Sequence, residues 1–486
     1  MSSSHNSADV IVIGCGIAGL SAAVSALESG QRVILLERAP EEEFGGNTRW
    51  TEAYMRMKND SEISDDFEDH FAANAGVNID PALLSELTGS YETWPPALKA
   101  HTLPDPEVIG TFAEKVPSTI AWLKGFGLKF GPQPIYLLTQ NTSRIAAQGG
   151  GLALIERLMA EAKSLKADIR FRTTAIALRW TDNGRVAGIT VIGPDRERYD
   201  LSAPNVIFAS GGFQGNQEMM THYIGQKAKN IRPVARGGYY NRGEGIKMML
   251  EAGAAPAGEF GSYHAEPVDP RSHQAEAVVF IYPYGILVDK HGQRFLDEAP
   301  GTVDAHYDNI GRAIGDQPDG ISYVIFDAKV EDIPRWKTSI RSDIAPCEAN
   351  TLEELFAKIG LPPETKATVD AFNAACPSEE GEFTPFAIDG RATRDLVPPK
   401  SNWSRRIEKG PFRAFPIISS NCFTFGGVKV TPDAQVVDQD GKLIPGLYAA
   451  GETMGIYHQV YTGSTSVLRG AVFGRIAGLH TASAAK

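Results

Sequence analysis

Apolar and polar positions along this chain fall into two kinds of block, short apolar runs suited to buried strands and longer runs with helical spacing. Asp9–Ile13 is a run of the first kind, and Arg32–Leu36 is a second. Between them Ala18–Ser29 has the small, apolar texture of a helix packed closely on a sheet, and Gly30 closes it. Residues 60–129 are acidic with helical stretches such as Ser118–Lys124, and read as an insertion covering the sheet. Leu152–Lys166 has the pattern of an amphipathic helix whose start abuts Gln148–Gly151. Arg170–Trp180 and Arg185–Ile192 flank Asn183-Gly184, a strong two-strand hairpin signal. Asn205–Ala209 is another buried strand, ending in glycines. From about Arg236 the texture changes: a turn and helix over Asn241–Ala254, then Pro-, Tyr- and His-rich loops. Ile286–Asp289 and Gln293–Leu296 flank His291-Gly292 as a second hairpin, and helices alternate with Pro-containing loops over 315–405. Strand-and-glycine texture then returns, and Val467–Ala482 is a closing helix. This pattern predicts an α/β protein in which residues 1–235 and 400–486 form one unit and 236–399 a second, inserted one.

The first block carries a motif. Gly14, Gly16 and Gly19 stand as G-x-G-x-x-G between strand and helix, and Glu37 follows the second strand, twenty-three residues after Gly14. In that setting the glycines permit a tight turn, close backbone approach to a pyrophosphate and close helix–strand contact. The helix N-terminus offers free N–H groups to phosphates, and the acid can accept a hydrogen bond from a ribose 2′-OH. Phe44–Met57 adds two glycines, an amide and a hydroxyl just after the second strand. No second such βαβ unit appears, which argues against a separate NAD(P)H domain.

Composition narrows the setting. Apolar residues make up 42% and charged residues 22%, ordinary for a globular protein with a large core. The net charge of −12 argues against nucleic acid and anionic membrane as partners. Four scattered cysteines, Cys15, Cys347, Cys376 and Cys422, form no CxxC pair, which fits a reducing compartment and excludes Cys-ligated clusters within the chain. The tail ahead of Asp9 is too short for a signal peptide, and no apolar run reaches the ~20 residues of a membrane span. A cytoplasmic protein without a membrane span or bound metal is expected.

Four separated pieces, VIGCGIAGL…LLER, GGNTRWT, FASGGFQGN and GLYAAGE…FGRIAG, resemble the FAD-containing family of fumarate reductases, succinate dehydrogenase flavoproteins and ketosteroid dehydrogenases. The resemblance implies a Rossmann-type FAD-binding domain with an inserted α+β capping domain. It implies that Gly14, Gly16, Ala18 and Gly19 hold the FAD pyrophosphate, and that Glu37 and Arg38 meet the adenosine ribose. Gly46, Asn47, Thr48, Arg49, Gly150, Ala175, Ser210, Gly211, Gly212, Gly451 and Glu452 would line the rest of the cofactor. Ser466, Val467 and Leu468 would bring the closing helix to the isoalloxazine. Covalent members attach flavin through a histidine soon after the second strand; Phe44–Met57 has none, so FAD is expected to be non-covalent.

The chain departs from the fumarate-reductase pattern at three functional positions. The substrate histidine of HHTMGG is replaced in CFTFGG by Cys422. The arginine of NRLGGN falls near Thr462, and the proton-donating arginine near Thr302 or Val303. The wording GGNTRWT, YPYGILV, FTFGG and YTGSTSVLRG instead resembles the tricarballylate dehydrogenases of the family. The resemblance then implies oxidation of a CH–CH bond of a small carboxylic acid to C=C, by α-proton abstraction and hydride transfer to flavin N5. A fumarate-reductase-type or ketosteroid-dehydrogenase-type ene reaction, and a non-catalytic flavin-binding protein, stay open as alternatives. The electron acceptor, a separate protein or a quinone pathway, lies outside the chain. Tyr307 is the first candidate for the proton-transfer residue, His306 the second, and Tyr461 a donor to a carbonyl oxygen. His264, His458 and Arg49 are candidates for substrate binding, and Arg144, Arg236, Arg242 and Arg294 are further arginines able to clamp a carboxylate.

Overall fold

The computed structural model describes residues 6–74, 90–99, 105–132, 137–139, 143–378 and 383–483. The chain opens with β1 (Val10–Ile13), α1 (Ile17–Glu28) and β2 (Val33–Leu36), and continues through α2 (Gly150–Ser164), β3 (Asp168–Arg170) and β4 (Asn205–Phe208). A second unit contributes β5 (Tyr263–Val268), β6 (Ile286–Asp289), α3 (Val303–Gly315), β7 (Ile321–Phe326) and β8 (Phe412–Thr424). The chain then returns through β9 (Gln435–Val437) and β10 (Leu443–Ala449) and closes on α4 (Ser466–Ser483).

The first sheet has the order β9–β10–β4–β1–β2–β3, parallel throughout except at the β9 edge. All residues of β1, β2 and β4 are buried, as a parallel strand covered on both faces requires. The small texture of α1 serves α4. A Cβ at Gly474 would lie 2.2 Å from the Ala18 carbonyl oxygen, and one at Gly478 would lie 2.3 Å from that of Ala22. Glycines four residues apart on α4 thus let the two helix backbones approach closely beneath the sheet's C-terminal edge.

Two expectations need correction. The run Arg170–Trp180 is divided: Asp168–Arg170 joins the main sheet, whereas Thr174–Trp180 pairs with Val186–Ile192, and that with Arg198–Ser202, in a separate antiparallel sheet. The Asn183-Gly184 hairpin stands in that sheet. At His291-Gly292 the turn forms, with the Asp289 amide donating to the Gln293 carbonyl (2.9 Å), but Gln293–Leu296 is no strand. Arg294 turns inward to Glu298 and to the carbonyls of Pro398 and Pro399, and β6 pairs instead with β7.

The second unit is built on β8. Along its thirteen residues it pairs antiparallel with β5, β7 and Cys347–Ala349, so this sheet draws on chain beyond residue 399. Helix α3 packs on β5 and β8, and no helix among the described residues is long and apolar enough to cross a membrane.

Candidate active site

An open cleft of about 1670 Å³, mouth included, runs from the C-terminal ends of β1 and β2 to the face of β5. Its lining runs without a break from the glycine turn after β1 to His264 and Glu266 of β5. At one end Gly14 has φ +107°, and a Cβ there would lie 2.3 Å from the Ala209 carbonyl oxygen. A Cβ on Gly19 would strike the Gly14 carbonyl oxygen at 1.8 Å, so Gly19 serves the helix–strand contact and does not line the cleft. Gly16 has nothing closer than 3.7 Å to its would-be Cβ, and the Ile17 amide at the start of α1 donates to Thr48 Oγ1 (3.2 Å), so a phosphate can approach the backbone there beside the Thr48 hydroxyl. Glu37 stands at the end of β2, Oε2 accepting from the Cys15 amide (3.0 Å) and Oε1 from that of Ala39 (2.8 Å). Burial pushes its pKa up, and a ribose hydroxyl would supply the solvation that is lacking.

Ala18, Arg38, Gly46, Asn47, Thr48, Ala175, Ser210, Gly211, Gly451, Glu452, Ser466 and Val467 also line the cleft. Arg38 is held by Glu244 (2.9 Å) and the Tyr240 carbonyl. Glu452, half-buried in the cleft lining, accepts from the Thr424 amide (2.8 Å). Bare glycines, the start of α1 beside the Thr48 hydroxyl and an acid at the end of β2 fit FAD. Besides Gly19, four expected cofactor residues lie behind the wall. Gly150 packs under the Thr51 carbonyl, Gly212 under Glu452 and Thr424, and Leu468 is core. Arg49 folds back onto the rings of Phe44 and Trp50 and donates to the Phe44 carbonyl (3.3 Å), so it reaches neither cofactor nor substrate space.

The other end is lined from β5, β8, α3 and the loop before α4. Strand alternation turns His264 and Glu266 to the cleft, and Tyr263 and Ala265 into an apolar cluster with Phe213 and Met220. The register of β5 on β8 slips here: His264 pairs with Phe423 and Ala265 with Asn421, leaving Cys422 as the extra residue of a bulge. That bulge lets both Cys422 and Phe423 line the cleft.

A hydrogen-bonded chain crosses this end. Asp308 Oδ1 accepts from His264 Nδ1 (3.0 Å) and from the Ala265 amide (2.7 Å), while its Oδ2 accepts from Arg312 (2.7 Å). With Nδ1 as donor, His264 Nε2 carries the lone pair and faces the Tyr307 hydroxyl at 3.3 Å. The Tyr461 ring lies 4.3 Å from the imidazole, and its oxygen accepts from the amides of Thr465 and Ser466 (3.0 Å each) at the start of α4. Glu266 is buried next to Cys422, and Glu276 next to Arg341 (3.2 Å), which also binds Glu52 (2.8 Å). Burial is the main cause that pushes Glu266 up to about 8 and Glu276 to about 7, each acid raising its neighbours further; it raises the Cys422 thiol as well. His264, Glu266 and Cys422 each bring one ligand atom within 4.8 Å of the others.

Of the expected catalytic and substrate residues, the structure brings His264, Tyr307 and Tyr461 together. His306 is one helical step from Tyr307 and turns away, its Nε2 lying 2.6 Å from where a Gly301 Cβ would stand; burial lowers its pKa. His458 sits in the turn before Tyr461, outside the lining. Arg236 pairs with Glu43, Arg242 reaches the Tyr239 carbonyl, and Arg294 is buried with Glu298, all away from this end. Arg144 comes nearest, paired with Asp304 (3.3 Å) behind Gly463. Asp308, Glu266 and Glu276 were not anticipated. The alternation His264-x-Glu266 and the i, i+4 pair Asp308–Arg312 were the available signals.

The chain resembles known flavoprotein oxidoreductases along nearly its whole length. The chain is 26% identical to the vinyl phenol reductase of Lactiplantibacillus plantarum, covering 92% of this chain and 90% of that one. It is 29% identical to the NADH:acrylate oxidoreductase of Vibrio harveyi, over 97% of this chain but only half of the relative's length. The fold is that of the 3-ketosteroid-Δ4-(5α)-dehydrogenase of Rhodococcus jostii RHA1, with a TM-score of 0.69 at 23% identity, covering 98% of this chain and 97% of that one. The model of the FAD binding domain family matches residues 9–468. The chain therefore belongs to the FAD binding domain family, and it is an FAD-dependent oxidoreductase.

Proposed function

We propose that the chain interconverts CH–CH and C=C in a small unsaturated substrate held between the cofactor cradle and β5. The observation that carries the reading is the chain Tyr307–His264–Asp308 opening on the same cleft as that cradle. Bound FAD supplies the two-electron redox chemistry. The residues supply the proton. Tyr307 O–H donates to His264 Nε2, so its oxygen can take a proton from a substrate carbon as its own proton passes to the imidazole, or run the sequence in reverse. Asp308 stabilises the imidazolium that forms. Tyr461, with two amides already on its oxygen, has its own O–H left to donate, to Ser466 Oγ (3.1 Å) or to a substrate oxygen gaining charge. The start of α4 adds a positive dipole end at the same spot. A separate redox partner delivers or removes the electrons.

The finer reading, a tricarballylate dehydrogenase, asks the wall for several cations. Arg341, Arg312 and Arg144 are each bound to an acid, which weighs against a substrate with three carboxylates. The test is anaerobic. Enzyme reduced with dithionite should recover its flavin absorption within seconds of mixing with a suitable alkene, and a saturated analogue should bleach the oxidised enzyme. A broad panel of alkenes and saturated acids that leaves both spectra unchanged would sink the proposal.

A further inference from the structure

Glu266 and Glu276 are 6% and 7% exposed, yet both line the cleft. Glu266 Oε2 is buried without a hydrogen-bond partner. An orphaned carboxylate oxygen costs stability until something donates to it. The surrounding charges do not balance it. Glu52, Glu266, Glu276, Asp304 and Asp308 face this region from four segments, against Arg144, Arg312 and Arg341. Each arginine is bound to one of the other acids, and the remaining neighbours of Glu266 are the Cys422 thiol and His264 Nε2 at 4.0 Å. The walls beside it are the flat rings of Phe423, Tyr461 and His264.

Resting on the oxidoreductase reading above, we propose that Glu266, backed by Glu276, is the specificity site for an uncharged hydrogen-bond donor, a hydroxyl or ring N–H, carried by a flat unsaturated substrate. A donor on the substrate satisfies Oε2 whether or not the acid is protonated. A substrate carboxylate meets an excess of acids there, with Arg341 already bound to Glu276 and Glu52, and an ether or hydrocarbon brings no donor to Oε2. A buried acceptor oxygen without a partner is what makes a donor welcome there.

The test compares 4-vinylphenol, its methyl ether 4-vinylanisole, and acrylate. Dissociation constants are read from the perturbation of flavin absorption in the oxidised holoenzyme, where no turnover intervenes. The wild type should bind the phenol at least ~10-fold more tightly than the ether, the range for losing a hydrogen bond to a charged or buried partner. Glu266→Ala should bring that ratio close to one and tighten acrylate. Glu266→Gln, which keeps an acceptor oxygen in a near-identical shape, should retain part of the preference and guards against a folding defect in the alanine variant. A wild-type ratio near one, or a preference for acrylate, overturns the proposal, as does an unchanged ratio in Glu266→Ala. If reduced enzyme is reoxidised by the ether as readily as by the phenol, this site assignment fails while the oxidoreductase reading stands. Selective phenol binding with no reaction of any alkene would leave the site and remove the reaction.

Discussion

Replacing Asp308 with Asn tests the proton chain at its least accessible link. Asp308 Oδ1 accepts two N–H bonds, from His264 Nδ1 and the Ala265 amide, and Oδ2 accepts from Arg312. An asparagine has one acceptor oxygen and must turn its NH₂ to one side. With NH₂ toward Arg312, two donors face each other and a buried ion pair is lost, at a cost of about 1.5–3 kcal/mol in stability. With NH₂ toward His264, the imidazole must move its proton to Nε2 and accept at Nδ1. Nε2 then donates toward Tyr307, and the phenol can no longer pass its proton to the imidazole. Either way the imidazolium loses its counter-charge. The rate of flavin reduction or reoxidation by substrate should fall at least ~100-fold, about 2.7 kcal/mol at ~1.36 kcal/mol per decade. Stopped-flow absorption under anaerobic conditions measures that rate, and FAD content with thermal unfolding separates it from misfolding. A folded, FAD-loaded Asp308→Asn protein reacting at the wild-type rate would refute the assignment of His264 and Asp308 to the proton path.

Other outcomes follow from the same geometry. Tyr307→Phe should slow the substrate-driven flavin step at least ~100-fold with FAD content intact, and His306→Ala should cost far less; the reverse pattern in stopped-flow would exchange their roles. Glu37→Ala should weaken FAD binding by about 1–3 kcal/mol and leave the Cys15 and Ala39 amides without a partner; an unchanged affinity by fluorescence titration would show that the acid does not reach the ribose. Acid or heat should release yellow FAD from the polypeptide, and colour that stays with the denatured chain would disprove non-covalent attachment. Glu266 and Glu276 have pKa values raised above the ordinary 4.5 in the fold, so the folded state holds the extra protons. Their contribution is present below about pH 4.5 and is lost as pH rises toward about 8. The melting temperature should therefore fall across that window, and Glu266→Gln should flatten the slope; an equal slope in the variant would place the titration elsewhere.

What could be read from the sequence was what is local in it. Gly14, Gly16, Gly19 and Glu37 belong to one unbroken βαβ unit, so their chemistry and placement follow from spacing alone. Tyr461 was legible for the same reason, five residues from the helix start that its hydroxyl caps. Arg49 was misplaced because a guanidinium on a flexible stem of three methylenes can swing onto Phe44 and Trp50 as easily as into the cleft, and no pattern records which. His306 and Tyr307 are adjacent in sequence but about 100° apart on a helix; only the seating of α3 on β5 decides which one faces His264. The raised carboxyls of Glu266 and Glu276 depend on burial under segments far apart in the chain, among them Thr51, Arg341 and Cys422, so neither residue looks unusual as a letter.

The bulge at Cys422 shows how one extra residue fixes the character of the cleft. In an unbroken antiparallel ladder a residue and its neighbour point to opposite faces, so Cys422 and Phe423 would not both reach the space that His264 faces. A slip of one residue over the whole strand would keep that alternation and would also turn Phe415 and Ile417 out of the core of the second unit. Confining the slip to one residue keeps the far end of β8 in register with β7 and delivers Thr424 in register with Tyr263. Thr424 then binds the cofactor-side acid Glu452 through its amide, and its hydroxyl accepts from the Phe213 amide (3.2 Å). The Cys422 carbonyl meanwhile accepts from Asn47 (2.7 Å) in the loop after β2. One strand thus carries the core of the second unit at one end and the floor of the cofactor site at the other. The distance between His264 and that floor is set by backbone register, which no side-chain substitution at position 422 alters.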